Sequence, residues 1–472
     1  MSLDGIALRW MRFEDVEAEL MALRRAVFID EQGLTEAEVA DPTDAEGVHL
    51  CAFADGELVA AVSAYVFEDP DDEGVTEWGL APSRGPVVRF TKRVTTPAFR
   101  GRGLSALLLA GLFHAAHEVV RPCAAFFVLK GPHRAMSDAL ARLSGLPAEA
   151  RGDVLLHAAR TLSDCDRQMR LARDQIERSV SKTGLALPSL TRHLLERGLG
   201  RWLGAERLAG ENLYTETLNL RDELPRLTAQ ERILFGYQRH HLVQAGLPPG
   251  PATLVDLGCG PGSYLAMMAR MPELAGYTLI GVDQCPQMIA QGRLERPGLA
   301  WHQASAYTLP LADRSVDVVH ASFLFINLRS PDLALAEIAR VLKPGGIFYV
   351  VDVHDPTFQG PPEILALVAA YHAGNNASRR IMAELPARAA SWGFTLTRTA
   401  ATPLVNDLPE TGVEVHPDRV RMGRMNLWGL LSFFGQPEAL EEPFERAREV
   451  YLRGEDEVQV SVLTQVYRLG AP

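Results

Sequence analysis

One stretch constrains the fold of this chain more than any other: Leu254-Val-Asp-Leu-Gly-Cys-Gly-Pro-Gly262. Apolar residues and one acid run directly into three alternate glycines. This is the pattern of a buried parallel strand entering a tight loop, where a backbone without Cβ atoms can turn sharply and approach a ligand closely. Such a turn by itself is shared with nicotinamide- and flavin-binding folds. It is followed by a second apolar strand ending in an acid, Leu279-Ile-Gly-Val-Asp283, at a spacing suited to bonding ribose hydroxyls. Ser315-Val-Asp-Val-Val319, then Val341-Leu-Lys-Pro-Gly-Gly346 with Ile347-Phe-Tyr-Val-Val-Asp352, continue the alternation of strand and helix signals.

At 472 residues the chain exceeds what one core usually organises, so two or three domains are expected. Its 47% apolar and 22% charged content describes globular protein, and a net charge of −12 without a lysine or arginine run argues against a nucleic-acid groove. The five cysteines are scattered without metal-ligand spacing, which reads as reduced thiols; no metal site is expected. The N-terminus lacks a basic-then-apolar leader and no stretch reaches membrane-spanning length, so a cytoplasmic protein with no membrane partner is expected. The oligomeric state is open.

Three blocks follow: residues 1–160 with short strands and helices, a helical linker over 161–212, and 213–472. In the first block, His49–Ala54 and Glu57–Phe67 read as a hairpin turning on Asp55-Gly56. Arg100-Gly-Arg-Gly-Leu-Ser105 lies between an extended segment and an apolar helix. Free N–H groups at a helix start form an anion cradle, and glycines let a pyrophosphate come close. These residues resemble the pyrophosphate loop of the GNAT superfamily of N-acetyltransferases. Arg24-Arg-Ala-Val-Phe-Ile-Asp-Glu-Gln-Gly33 and His49-Leu-Cys-Ala-Phe53 also look like one branch of it. The resemblance implies a mixed sheet that binds acetyl-CoA or another acyl-CoA through Thr95, Arg100, Gly101, Arg102, Gly103 and Ser105. The tyrosine that often protonates the leaving thiolate has no counterpart between Ala124 and Gly145; His133 and Ser137 are the polar residues there, and Glu31 is a candidate base. A non-catalytic module that binds an acyl-CoA or the substrate is therefore an open alternative.

The third block resembles the class I S-adenosylmethionine (SAM)-dependent methyltransferases over about half the chain. The implied fold is a Rossmann-like, seven-stranded, doubly wound sheet with Phe394–Thr399 and Val458–Arg468 as strands six and seven, the last antiparallel. The resemblance assigns Asp256 to the methionine amino group, Gly258, Gly260 and Gly262 to close backbone approach, and Asp283 to the ribose, with Gln284 also among the cofactor-binding residues. It assigns Met288, Ser305 and Ala306 to the adenine, Ser305 standing where the family often has an acid. Phe323 closes over the cofactor. His354 and Asp355, past the strand Phe348–Val353, are the candidate catalytic residues, with Asn327, Tyr371 and His372 behind them and Tyr214 as a shield for the sulfonium. Met422, Met425, Trp428, Phe433 and Phe434 suggest a helical insert lining an acceptor pocket. The expected activity is methylation of a small-molecule acceptor, with the first domain acting in the same pathway. A nicotinamide enzyme is the alternative for this block.

Overall fold

The computed structural model describes residues 5–67, 73–80, 86–120, 124–130, 134–152, 154–185, 187–188, 190, 193, 220–374, 380–406, 420–422 and 440–470. Tyr214, His133, Met425, Trp428, Phe433 and Phe434 lie outside them. The chain divides into two compact units, residues 1–204 and 205–472.

The first unit holds a seven-stranded sheet: β1 Ile6–Met11, β2 Val48–Ala54, β3 Glu57–Phe67, β4 Val87–Thr95, β5 Ala124–Lys130, β6 Glu149–Arg151 and β7 Val154–Ala159, ordered β1-β2-β3-β4-β5-β7-β6. Neighbours are antiparallel except β4 and β5. The β2–β3 hairpin turns where expected, with positive φ at both Asp55 and Gly56, the geometry that matches strand twist. The β4–β5 pairing runs from Val87–Ala124 to Phe90–Phe127 and, among the described residues, ends there while both strands continue. Just beyond, Lys92 at φ 50° and Arg93 stand opposite Val62 alone, a bulge that bends β4 away.

Helices α1 (Phe13–Arg24) and α2 (Leu104–Val119) pack on this sheet, and α3 is Arg134–Ser144. Helix α4 (Leu162–Thr183) starts with the Thr161 hydroxyl accepting from the Asp164 N–H and ends at a left-handed Gly184. Expected as part of a linker, it packs along α2 within the first unit, bridged by His117 Nε2 and Gln168 Oε1 at 2.6 Å. That covering explains why α2 is apolar on nearly every side.

The second unit holds β8 Ala252–Leu257, β9 Tyr277–Asp283, β10 Ala300–Gln303, β11 Val316–Ser322, β12 Leu342–Gln359, β13 Phe394–Asn406, β14 Val420–Met422 and β15 Gln459–Leu469, ordered β10-β9-β8-β11-β12-β15-β13-β14. Strands β10, β9, β8, β11 and β12 are parallel, and β15 is antiparallel to both neighbours, as the resemblance implies. The short edge strand β14 makes eight strands where seven were expected. Helices α5 (Leu220–Val243), α6 (Ser263–Met268), α7 (Pro286–Glu295) and α8 (Pro331–Val341) accompany the sheet. The chain leaves β8 toward β9 and β10, then returns to β11 on its other side, so strand order reverses at β8. In open α/β sheets ligands bind at that point, outside the strands' C-terminal ends. One row of directly paired residues crosses there: Trp301, Gly281, Asp256, His320 and Tyr349. Among the described residues, no helix is long and apolar enough to cross a membrane.

Candidate active site

The loop after β8 places Gly258, Gly260 and Gly262 at φ 73°, 53° and 76°, a region costly for residues with a Cβ. The three glycines have different reasons to be there. A Cβ on Gly258 would press on Leu324, one on Gly260 would meet open space, and one on Gly262 would collide with the Trp301 ring. That ring also lies against Gly281 and Gly292, and its Nε1–H donates to the Arg296 carbonyl at 3.2 Å. Gly262 thus has a packing reason as well, since the Trp301 ring occupies its Cβ side. Only Gly260 has a clear side.

Asp283 ends β9 and ties two segments together. Its Oδ2 accepts from the Gly260 N–H and its Oδ1 from the Cys285 N–H, both at 2.8 Å. Burial pushes the Asp283 carboxyl above its usual range, these N–H bonds oppose the shift, and nearby Asp256 adds to it. The Gln284 N–H also bonds this carboxylate, and because a carboxylate has about four acceptor positions, capacity for a further hydroxyl donor is left. Burial, then Asp283, Asp256 and Glu231, push the Cys259 thiol well up. Glu231 comes from α5 and was missed, because nothing in a helix outside the glycine motif marks which residue will face the loop.

Asp256, on β8, is 2% exposed. Its Oδ1 meets His320 Nδ1 at 2.7 Å, and its Oδ2 has no hydrogen-bond partner. His320, fully buried on β11, is sandwiched between Tyr264 (4.8 Å, 12°) and Tyr349 (5.3 Å, 18°). His320 is not among the candidate residues legible in the sequence, where its one signal is a histidine inside an otherwise apolar strand.

Met288 is buried in the first turn of α7, and Gln284 sits between Asp283 and Cys285. Ser305 and Ala306 are buried after β10, the Ser305 hydroxyl accepting from the Tyr307 N–H at 3.2 Å. Phe323 follows β11 at φ 54°, held by its N–H to the Val351 carbonyl at 2.8 Å and by Asn327 Nδ2 donating to its own carbonyl at 3.0 Å. A bulky residue in the left-handed region stores about 1 kcal/mol or more, and such strain concentrates at functional sites. His354 and Asp355 lie inside β12 rather than after it, because this strand runs on to Gln359. His354 pairs with Ser461 and its Nδ1 has no partner; burial lowers its pKa, Asp355 raises it and Arg380 lowers it. Asp355 is buried, as is Tyr371.

In the first unit, Gly101 and Gly103 have positive φ and open space where a Cβ would be, and Gly103 precedes α2 without a side-chain cap. The first N–H groups of α2, with Ser105 in its first turn, therefore present an anion-binding end. Arg100 donates from Nε to the Thr95 carbonyl at 3.0 Å and pairs with Glu31 at 2.8 Å, while Arg102 lies over Phe99. The Thr95 hydroxyl is buried without a partner. Ser137 hydrogen-bonds His157 Nε2 at 3.0 Å.

Residues 255–350 match the family model described as a methyltransferase domain. An uncharacterized methyltransferase of Synechocystis sp. is 31% identical over 170 residues, 34% of this chain and 77% of that protein. A ubiquinone/menaquinone biosynthesis C-methyltransferase of Rubrivivax gelatinosus is 37% identical over 128 residues, 26% of this chain and 49%, about half, of that protein. Among solved structures, the geranyl diphosphate C-methyltransferase of Streptomyces coelicolor, crystallised with S-adenosyl-L-homocysteine, has a TM-score of 0.33 at 19% identity, covering 50% of this chain and 80% of that one.

Proposed function

This chain belongs to the methyltransferase-domain family, and we propose that its second unit transfers the methyl group of SAM to a small-molecule acceptor. The observation that carries the reading is Asp256, a buried carboxylate with one oxygen bonded to His320 and the other without a partner. A buried carboxylate in that state is costly until a cation meets it. SAM brings an ammonium group at one end and, when bound, supplies an electrophilic methyl on a sulfonium. Asp256 Oδ2 takes the ammonium, Asp283 the ribose, and Ser305 with the Ala306 N–H the adenine edge. His354, whose buried Nδ1 has no hydrogen-bond partner, takes a proton from an acceptor that must lose one. The relative named as a ubiquinone/menaquinone biosynthesis C-methyltransferase supports a small-molecule acceptor here. Calorimetry with SAM, followed by transfer of labelled methyl to a panel of small acceptors, tests the reading. Stabilisation against thermal unfolding by NAD but not by SAM would overturn it.

For the first unit, the proposal is an acyl-CoA site acting in the same pathway. The unsided glycines, the uncapped start of α2 and the cations Arg100 and Arg102 support a pyrophosphate cradle. The divergence of β4 from β5 leaves backbone groups of Arg93 to Thr95 without partners on β5, and these suit an extended amide-bearing arm. Ser137 is engaged by His157 in the interior, which favours binding over transfer. Calorimetry with acetyl-CoA decides first: no binding ends the reading. Binding without transfer over an acceptor panel identifies a non-catalytic module.

A further inference from the structure

His320 sits at the centre of the second sheet, where an apolar side chain would be the cheaper filling. It is fully buried, its Nε2 finds no partner, and neither does the hydroxyl of Tyr264 stacked on it. Each such group costs about 1–3 kcal/mol relative to a satisfied one. Stability alone gives no reason for this arrangement.

Its geometry does. Tyr349 fixes one side of the stack through its hydroxyl, which donates to the Gln238 carbonyl at 3.0 Å. Tyr264 is fixed on the other by an edge contact with Phe235 at 5.1 Å. The imidazole plane is clamped between them, and its Nδ1 is aimed at Asp256 Oδ1. Nδ1 faces Asp256 Oδ1 and, among the described residues, Nε2 meets no partner, so the ring proton that this geometry uses is the one on Nδ1. A neutral donor then orients the carboxylate without cancelling its charge. Arginine or lysine at this place would orient it and neutralise it at once.

We propose that His320 is a positioning residue which, by binding Asp256 Oδ1 with a neutral N–H, presents the charged Oδ2 to the ammonium group of SAM. This rests on the methyltransferase reading and adds to it the residue that sets affinity for the amino-acid end of the ligand.

The test uses the full chain and two probes: S-adenosylhomocysteine, which carries the ammonium group, and 5′-methylthioadenosine, which lacks the amino-acid end. H320F keeps an aromatic ring in the stack and removes the donor; H320N restores an N–H near the position of Nδ1. By calorimetry, H320F is expected to weaken S-adenosylhomocysteine by about tenfold or more while methylthioadenosine binds as before. H320N is expected to recover most of the loss. Parallel weakening of both probes, or wild-type affinity in H320F, overturns the proposal. If H320F does not fold, as read by circular dichroism, D256N must show the same selective loss, and a parallel loss there overturns it equally. Wild-type protein that binds neither probe overturns the methyltransferase reading itself, a result distinct from either pattern.

Discussion

The indole of Trp301 fills the space that a Cβ on Gly262 would occupy. The glycine loop is therefore shaped from beneath by a side chain two strands away. Gly262→Ala combines a left-handed backbone with a ring collision and should cost roughly 2–4 kcal/mol in denaturant unfolding. Combining it with Trp301→Leu should recover part of that cost. Simple addition of the two single costs would refute the contact as the cause.

Asp283 and Ser305 should differ sharply. Asp283→Ala leaves the Gly260 and Cys285 N–H groups without their acceptor and removes the carboxylate proposed to hold the ribose. It should weaken SAM by about 100-fold, whereas Ser305→Ala, which loses a neutral hydroxyl also used by Tyr307, should cost only a fewfold. Equal effects in calorimetry would contradict the placement of the ribose.

If His354 accepts a proton, its lowered pKa sets the acid limb of turnover. Burial favours the neutral ring, so the active form persists below the ordinary histidine value of 6.5. The kcat profile should lose activity only below that pH, and His354→Ala should abolish that limb together with most of the rate.

Acid should destabilise the first unit through two buried histidines. His49 and His117 are each lowered from 6.5 to about 4, chiefly by burial. The folded state then binds fewer protons than the unfolded one between those values. Their contribution is intact above pH 6.5 and lost as pH falls toward 4, by roughly 3 kcal/mol each. Unfolding midpoints followed from pH 7 to 4.5 should fall, and His117→Gln should flatten the slope.

Arg100→Ala should separate ligand binding from stability. The Arg100–Glu31 pair is largely exposed, 45% and 36%, so its loss should move the unfolding free energy by less than about 1 kcal/mol. Acetyl-CoA affinity should nonetheless fall severalfold. An unchanged affinity would remove Arg100 from the cradle.

Much of this architecture is legible along the chain because it is local. Strands β8, β9 and β11 announce themselves as apolar runs. The Asp55-Gly56 turn follows from backbone preference, and the antiparallel last strand from the family resemblance. Other features depend on contacts distant in sequence. Helix α4 reads as a connector until α2 is seen beneath it. Strand β12 pairs with β15 as far as His354 and again at Gln359, a partnership no local pattern encodes. Glu231 reaches Cys259 only through the packing of α5.

The same division runs through the candidate site. The amino-acid order alone determined that a carboxylate would end each of two buried strands beside a glycine turn, since strand periodicity and glycine's backbone freedom act within a few residues. Only the tertiary structure decided which of those groups would be satisfied. The sheet register sets His320 beside Asp256, and the stacking of Tyr264 and Tyr349 fixes the ring. Hydrogen-bond completion depends on distance in space, and residues 64 positions apart become neighbours only when the sheet closes between them.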